Sequence, residues 1–187
     1  GAGRLTTTRR TMLFSTSSLL TMLHGLVLSG GALMLLVLAL LSLRLTAASS
    51  DATGADRHAA MFGRLAVAAA ILLWLSVVSG TYFIFPMYRA TPPEGVTALA
   101  DYPRALLMSK PDTRWLHSFG MEIKEHVPWI AAMLATAAAF VALRHPASIA
   151  ADRTVRRATG ALLVIALMLT ASVALLGVFV NKVAPVW

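Results

Sequence analysis

Five side chains in this sequence have types and spacing that could make a site: His24, Tyr82, Glu122, His126 and Asn181. Glu122 and His126 are four residues apart, so on a helix the carboxylate and the imidazole meet one turn apart on one face. They stand directly before a long apolar run. An ionisable group there is costly unless it is paired in a protein interior or held at headgroup level. A carboxylate beside an imidazole can pass protons, and an imidazole can ligate iron or magnesium or donate to a carbonyl.

The elements that must position these groups follow from the apolar blocks. The chain has 187 residues, 58% of them hydrophobic and 13% charged. A soluble domain has about 25% charged residues. Mean hydropathy is +0.75, and no charge interrupts residues 11–43, 65–88, 127–143 or 158–181. Each run is close to or above the roughly 20 residues that cross a bilayer as a helix. The expected fold is therefore all-α: a single integral membrane domain over residues 1–187, built as a four-helix transmembrane bundle. The spans are placed at 17–43, 65–86, 120–143 and 158–181. Ser109, Pro111 and Asp112 read as a helix start, with serine as cap and proline in the first turn. The third span is thus expected to carry an amphipathic interfacial extension from about residue 110. Residues 45–64 read as a polar connector. Pro86 is expected to end the second helix and Pro128 to bend the third.

The formal net charge of +8 does not mark a nucleic-acid binder. The basic residues flank apolar blocks, where lipid headgroups lie, and form no stripe interleaved with exposed aromatics. Cysteine is absent, which excludes disulfides, iron–sulfur clusters, covalently attached haem and thiolate zinc sites. Arg4, Arg9 and Arg10 precede an apolar stretch too long for a signal-peptide core. The loop with Arg144, Arg153, Arg156 and Arg157 against Asp152 is short and strongly basic, whereas the region from Arg89 to Glu125 balances its charges. The positive-inside rule then puts the two short loops in the cytoplasm and both termini outside it. Lys182 and Trp187 read as interfacial anchors. A multi-pass protein of a bacterial inner membrane is expected.

On a wheel of about 100° per residue, Trp115, Phe119, Glu122, His126, Trp129 and Met133 share one face of the third helix. His117, Lys124 and Glu125 fall on the other side or its flank, as a solvated or headgroup-facing edge. The first and third spans start on the same membrane side, which sets His24 level with His126. Tyr82, Asn181 and Lys182 end their spans on that side too.

Several uses of such a cluster stand open. His24 and His126 could be axial ligands of a haem b, with Gly25, Gly30 and Gly31 leaving room for the porphyrin. Glu122, His126 and Tyr82 suit a quinone pocket, with donors for the carbonyl and a carboxylate for protons. His24, Glu122 and His126 have acceptable types for a metal site but are few. One histidine could ligate the magnesium of a chlorophyll-type pigment. The purely structural use pairs Glu122 with His126 or with a neighbouring subunit, and needs no cofactor. The His24-Gly25 step and a histidine on the third helix resemble four-helix b-type cytochromes, which implies a haem between helices. The paired histidines within one helix of many such proteins are missing, since His117 and His126 face different ways. Charge-free midplanes disfavour a transporter, and no catalytic activity of the chain on its own is expected. The expectation is a small subunit of a respiratory or photosynthetic electron-transfer complex, with membrane lipids and larger membrane subunits as partners. The rival is an accessory structural subunit that binds lipid or pigment.

Overall fold

The computed structural model describes residues 14–186. Arg4, Arg9, Arg10 and the expected anchor Trp187 lie outside the described residues. The fold is all-helical, with no strand among the described residues and four helices long and apolar enough to cross a membrane. These are α1 (Thr16–Ala48), α2 (Ala52–Tyr88), α4 (Leu116–Arg144) and α6 (Arg153–Val183). Two short helices, α3 (Pro103–Ser109) and α5 (Pro146–Ala151), lie in the connections before and after α4. α1 packs on α2, α2 on α4, α4 on α6, and α6 closes back on α1. This is an up-and-down ring of four.

Small side chains build the seams. Ala32 and Ala39 of α1, Ala59, Ala66 and Ala69 of α2, Ala135 and Ala138 of α4, and Ala166 of α6 are buried, with Phe62 and Leu36 as the largest core members. The large apolar side chains mostly point out: Leu26, Met34, Met133, Phe140 and Met168 are all exposed. Lipid tails are as apolar as leucine, so burial of large side chains does not drive these helices together. Close backbone approach does, and alanine permits it. Across the α2–α4 seam, Trp74 Nε1 donates to Thr136 Oγ1 at 2.9 Å, and Trp74 meets Trp129 edge to face at 5.7 Å.

Three local boundaries differ from the sequence expectation. The connector at 45–64 is almost entirely helical, with only 49–51 between α1 and α2. Asp51 caps α2, accepting from Gly54 N–H, just as Asp152 caps α6 through Thr154 and Val155. The segment 109–112 does not start a helix. Ser109 closes α3, its Oγ donating to Leu106 O, and Thr113 makes the turn into α4. The amphipathic extension is thus the separate helix α3, which seats Leu107 in a small cluster with Tyr88, Leu116 and Val180. α2 runs past Pro86 to Tyr88.

Three stretches are wound as π-helix: Leu23–Gly30 in α1, Gly80–Ile84 in α2 and Leu116–Met121 at the start of α4. All lie toward the same end of the bundle. Widened turns free carbonyls and re-aim side chains, and they recur at functional positions.

Candidate functional site

The widened turns surround a polar layer that crosses the bundle. His24 comes from the α1 π-segment. Its Nδ1 lies 2.9 Å from Ser79 Oγ of α2, and Ser79 Oγ donates to the Ser76 carbonyl at 3.0 Å. A hydroxyl has one hydrogen. Since Ser79 gives it to Ser76 O, Ser79 Oγ accepts from His24, and His24 carries its proton on Nδ1. The neutral ring therefore presents Nε2 as a bare lone pair. That is the orientation of a histidine set to accept a proton or to ligate a metal, with its other N–H held by a second partner. One turn deeper, Ser29 Oγ donates to the His24 carbonyl at 3.0 Å and lies 2.8 Å from Ser76 Oγ.

Lys124 enters the same layer from α4. Its Nζ lies 3.0 Å from the point where a Cβ on Gly177 of α6 would stand. His24 thus faces α2 while Lys124 faces α6, at a common depth. Among the described residues it has no ion-pair partner. Two glycines make the room: a Cβ on Gly80 would fall 2.8 Å from His24 Cε1, and one on Gly177 would meet Lys124. The layer's depth follows from the sequence. His24 to Arg44, Lys124 to Arg144 and Gly177 to Arg157 are each about 20 residues, or about 30 Å of helix. That matches the thickness of a bilayer's hydrocarbon core. The layer lies near one boundary of that core, with an arginine belt at the other.

A second polar group lies at the same end, between α2 and α4. Tyr88 is buried and its hydroxyl lies 2.7 Å from His117 Nδ1. Arg89 stacks its guanidinium over Phe85 at 5.3 Å. These residues, with Arg104, Glu122 and Glu125, line a cavity of about 200 Å3.

The residues expected to converge do not do so as a set. His24 is inside. Glu122 and His126 pair with each other on the outer face, with side chains 67% and 72% exposed; His126 Nδ1 donates to the Glu122 carbonyl at 2.8 Å. Tyr82 points outward at 68% exposure, and Asn181 is exposed. The facing of α4 is thus corrected: its aromatic face looks outward, and Lys124, His117 and Glu125 look inward. The reason is the membrane packing rule stated above. The signal was present in the alanines. Ala142, Ala138, Ala135 and Ala131 form the buried stripe, and continuing it backward at helical spacing reaches Lys124, Gly120 and His117.

Each cofactor reading meets a different fit. A haem held by both His24 and His126 would need the outward His126 to turn in, and the His24 ring is packed against Gly80 of α2. No group of three or more His, Asp or Glu side chains suited to a metal ion occurs among the described residues. The arrangement defines the class: an integral, multi-pass helical membrane protein with an ionisable layer near one boundary. No protein family, curated protein or solved structure matches the chain.

Proposed function

We propose that this chain is a small integral subunit of a respiratory or photosynthetic electron-transfer complex, and that its layer at His24 and Lys124 handles the protons of a quinone headgroup. The observation that carries the reading is the bare Nε2 of His24, fixed by Ser79 at the depth of Lys124, which has no ion-pair partner among the described residues. Ionisable groups inside a helical bundle commonly mark proton relays or substrate sites. A quinol hydroxyl is both donor and acceptor. One of the quinol's two hydroxyls gives its proton to His24 Nε2, the other gives its proton to water at the membrane boundary, and the two electrons leave to a redox centre of a neighbouring subunit. Gly25, beside His24, has open space where a side chain would stand, which leaves an approach from the lipid. The proposal places the protein in a bacterial inner membrane, short arginine-rich loops in the cytoplasm and both termini outside it.

A second reading uses the same atom: Nε2 as the single protein ligand of haem iron or of a pigment magnesium. A third, supported by the outward aromatic face of α4, makes the chain an accessory subunit that binds lipid or larger subunits and no cofactor. The test is quinol turnover by the complex that co-purifies with the tagged chain. His24→Gln should lower it by about 10²–10⁴-fold, the usual range for a removed general base. Unchanged turnover with the complex intact would refute the assignment. A Soret band lost in the same variant would favour the second reading. Normal chemistry in a complex that assembles poorly without the chain would favour the third.

A further inference from the structure

The cavity between α2 and α4 is not used by the quinol reading, and its charges are unusual. Two guanidiniums, Arg89 and Arg104, and two carboxylates, Glu122 and Glu125, line one space of about 200 Å3. No guanidinium there is ion-paired with either carboxylate. Arg89 is instead held over the Phe85 ring. The same two arginines line an adjoining cavity of about 210 Å3, whose other walls include Pro92, Ala105 and Met108. The charged cavity lies where α2 ends and α4 begins. Glu125 is about 19 residues from Arg144, so it stands about 29 Å along the helix from the arginine belt. This is the same boundary of the hydrocarbon core at which the His24 layer lies, where lipid headgroups begin.

Opposite charges that share a cavity without pairing fit a ligand carrying both signs. A purely anionic headgroup would meet two carboxylates with the arginines. A choline headgroup has no N–H to donate to them. A phosphate with a primary ammonium two carbons away satisfies both: charge-assisted bonds from arginine to phosphate, and from ammonium to carboxylate. We propose that this cavity binds the headgroup of phosphatidylethanolamine, with the phosphate on Arg89 and Arg104 and the ammonium on Glu125. The Tyr88–His117 pair forms part of the wall and is not required to titrate.

The test uses the full chain, delipidated in detergent and titrated with dioleoyl phosphatidylethanolamine, phosphatidylcholine or phosphatidylglycerol, with bound lipid counted by native mass spectrometry. Phosphatidylethanolamine should be retained about tenfold better than the other two, the value of one charge-assisted bond. Glu125→Gln, close in shape to the wild type, should abolish that preference, and Arg104→Gln should weaken phosphatidylethanolamine and phosphatidylglycerol alike. Circular dichroism identifies any variant that fails to fold, and Glu125→Gln alone then decides. Equal retention of the three lipids, or a preference that survives Glu125→Gln, overturns the proposal. Preference for phosphatidylglycerol in the wild type reduces the cavity to an anion site and overturns it too. Soluble phosphoethanolamine competing at the same concentration as the lipid would make this a solute site, against the proposal. The result is independent of the quinol reading, because His24→Gln should leave the lipid preference intact.

Discussion

Replacing Gly80 with alanine should damage the polar layer, and the size of the damage can be worked out. The new Cβ would stand 2.8 Å from His24 Cε1 and 3.5 Å from Nε2. Non-bonded carbons prefer about 3.5–4.0 Å, so the ring must retreat by about 1 Å. Retreat stretches the 2.9 Å bond from Nδ1 to Ser79 Oγ. Overpacking of this kind costs about 1–3 kcal/mol, and a lost hydrogen bond adds about 1 kcal/mol. Alanine returns about 1 kcal/mol of helix propensity. The net expectation is a destabilisation of about 1–3 kcal/mol. Gly25→Ala is the control, because no atom lies within 4 Å of its Cβ position; it should be neutral or stabilising by up to about 1 kcal/mol. Unfolding of the purified chain in mixed micelles, followed by circular dichroism, measures both. The pair should also be repeated in a His24→Ala background, where the clash partner is gone and Gly80→Ala should become harmless. Equal midpoints for Gly80→Ala and Gly25→Ala, or a Gly80→Ala penalty that persists without His24, would refute the packing of His24 against α2.

Two further expectations test the remaining geometry. Lys124→Met keeps the length of the side chain and removes a charge that has no ion-pair partner among the described residues, so the same unfolding assay should show unchanged or raised stability; a loss above about 1 kcal/mol would mean that the ammonium is paired. Ala135→Leu overfills the α2–α4 seam, where Ala135 is fully buried, and should destabilise by about 1–3 kcal/mol. Met133→Ala on the lipid-facing side should shift the midpoint little, and the reverse ranking of these two would invert the facing of α4.

The four spans were legible because composition alone decides them: a charge-free run of about 20 residues has few other homes. Helix caps were less legible. Asp51 and Asp152 are aspartates directly before their helices, and that signal was available; at 109–112 the same kind of signal misled, because Ser109 uses its hydroxyl to close the preceding short helix. The facing of α4 failed for a deeper reason. A wheel of large apolar residues marks the core of a water-soluble helix, whereas here it marks the lipid. Glu122 and His126 lie on that outward wheel, and Lys124 lies on the buried alanine stripe, with its Nζ at Gly177 of α6.

That inversion changes what the ionisable residues can mean. Glu122 and His126 satisfy each other at the surface and are at headgroup level, where a carboxylate and an imidazole cost little. Lys124 is the costly one, because its place on the inward alanine stripe of α4 carries its ammonium into the seam at Gly177 of α6. His24 is costly as well, since it is turned toward α2 rather than toward the lipid. A bundle free to choose would place leucine at both positions. Instead two glycines, three serines and a π-widened turn accommodate them. Two ionisable groups held at one depth inside a helical bundle, at a cost in backbone regularity, are a mark of functional sites in membrane proteins. The Nε2 that Ser79 leaves without a hydrogen on His24 is the atom that the proposed proton transfer would use.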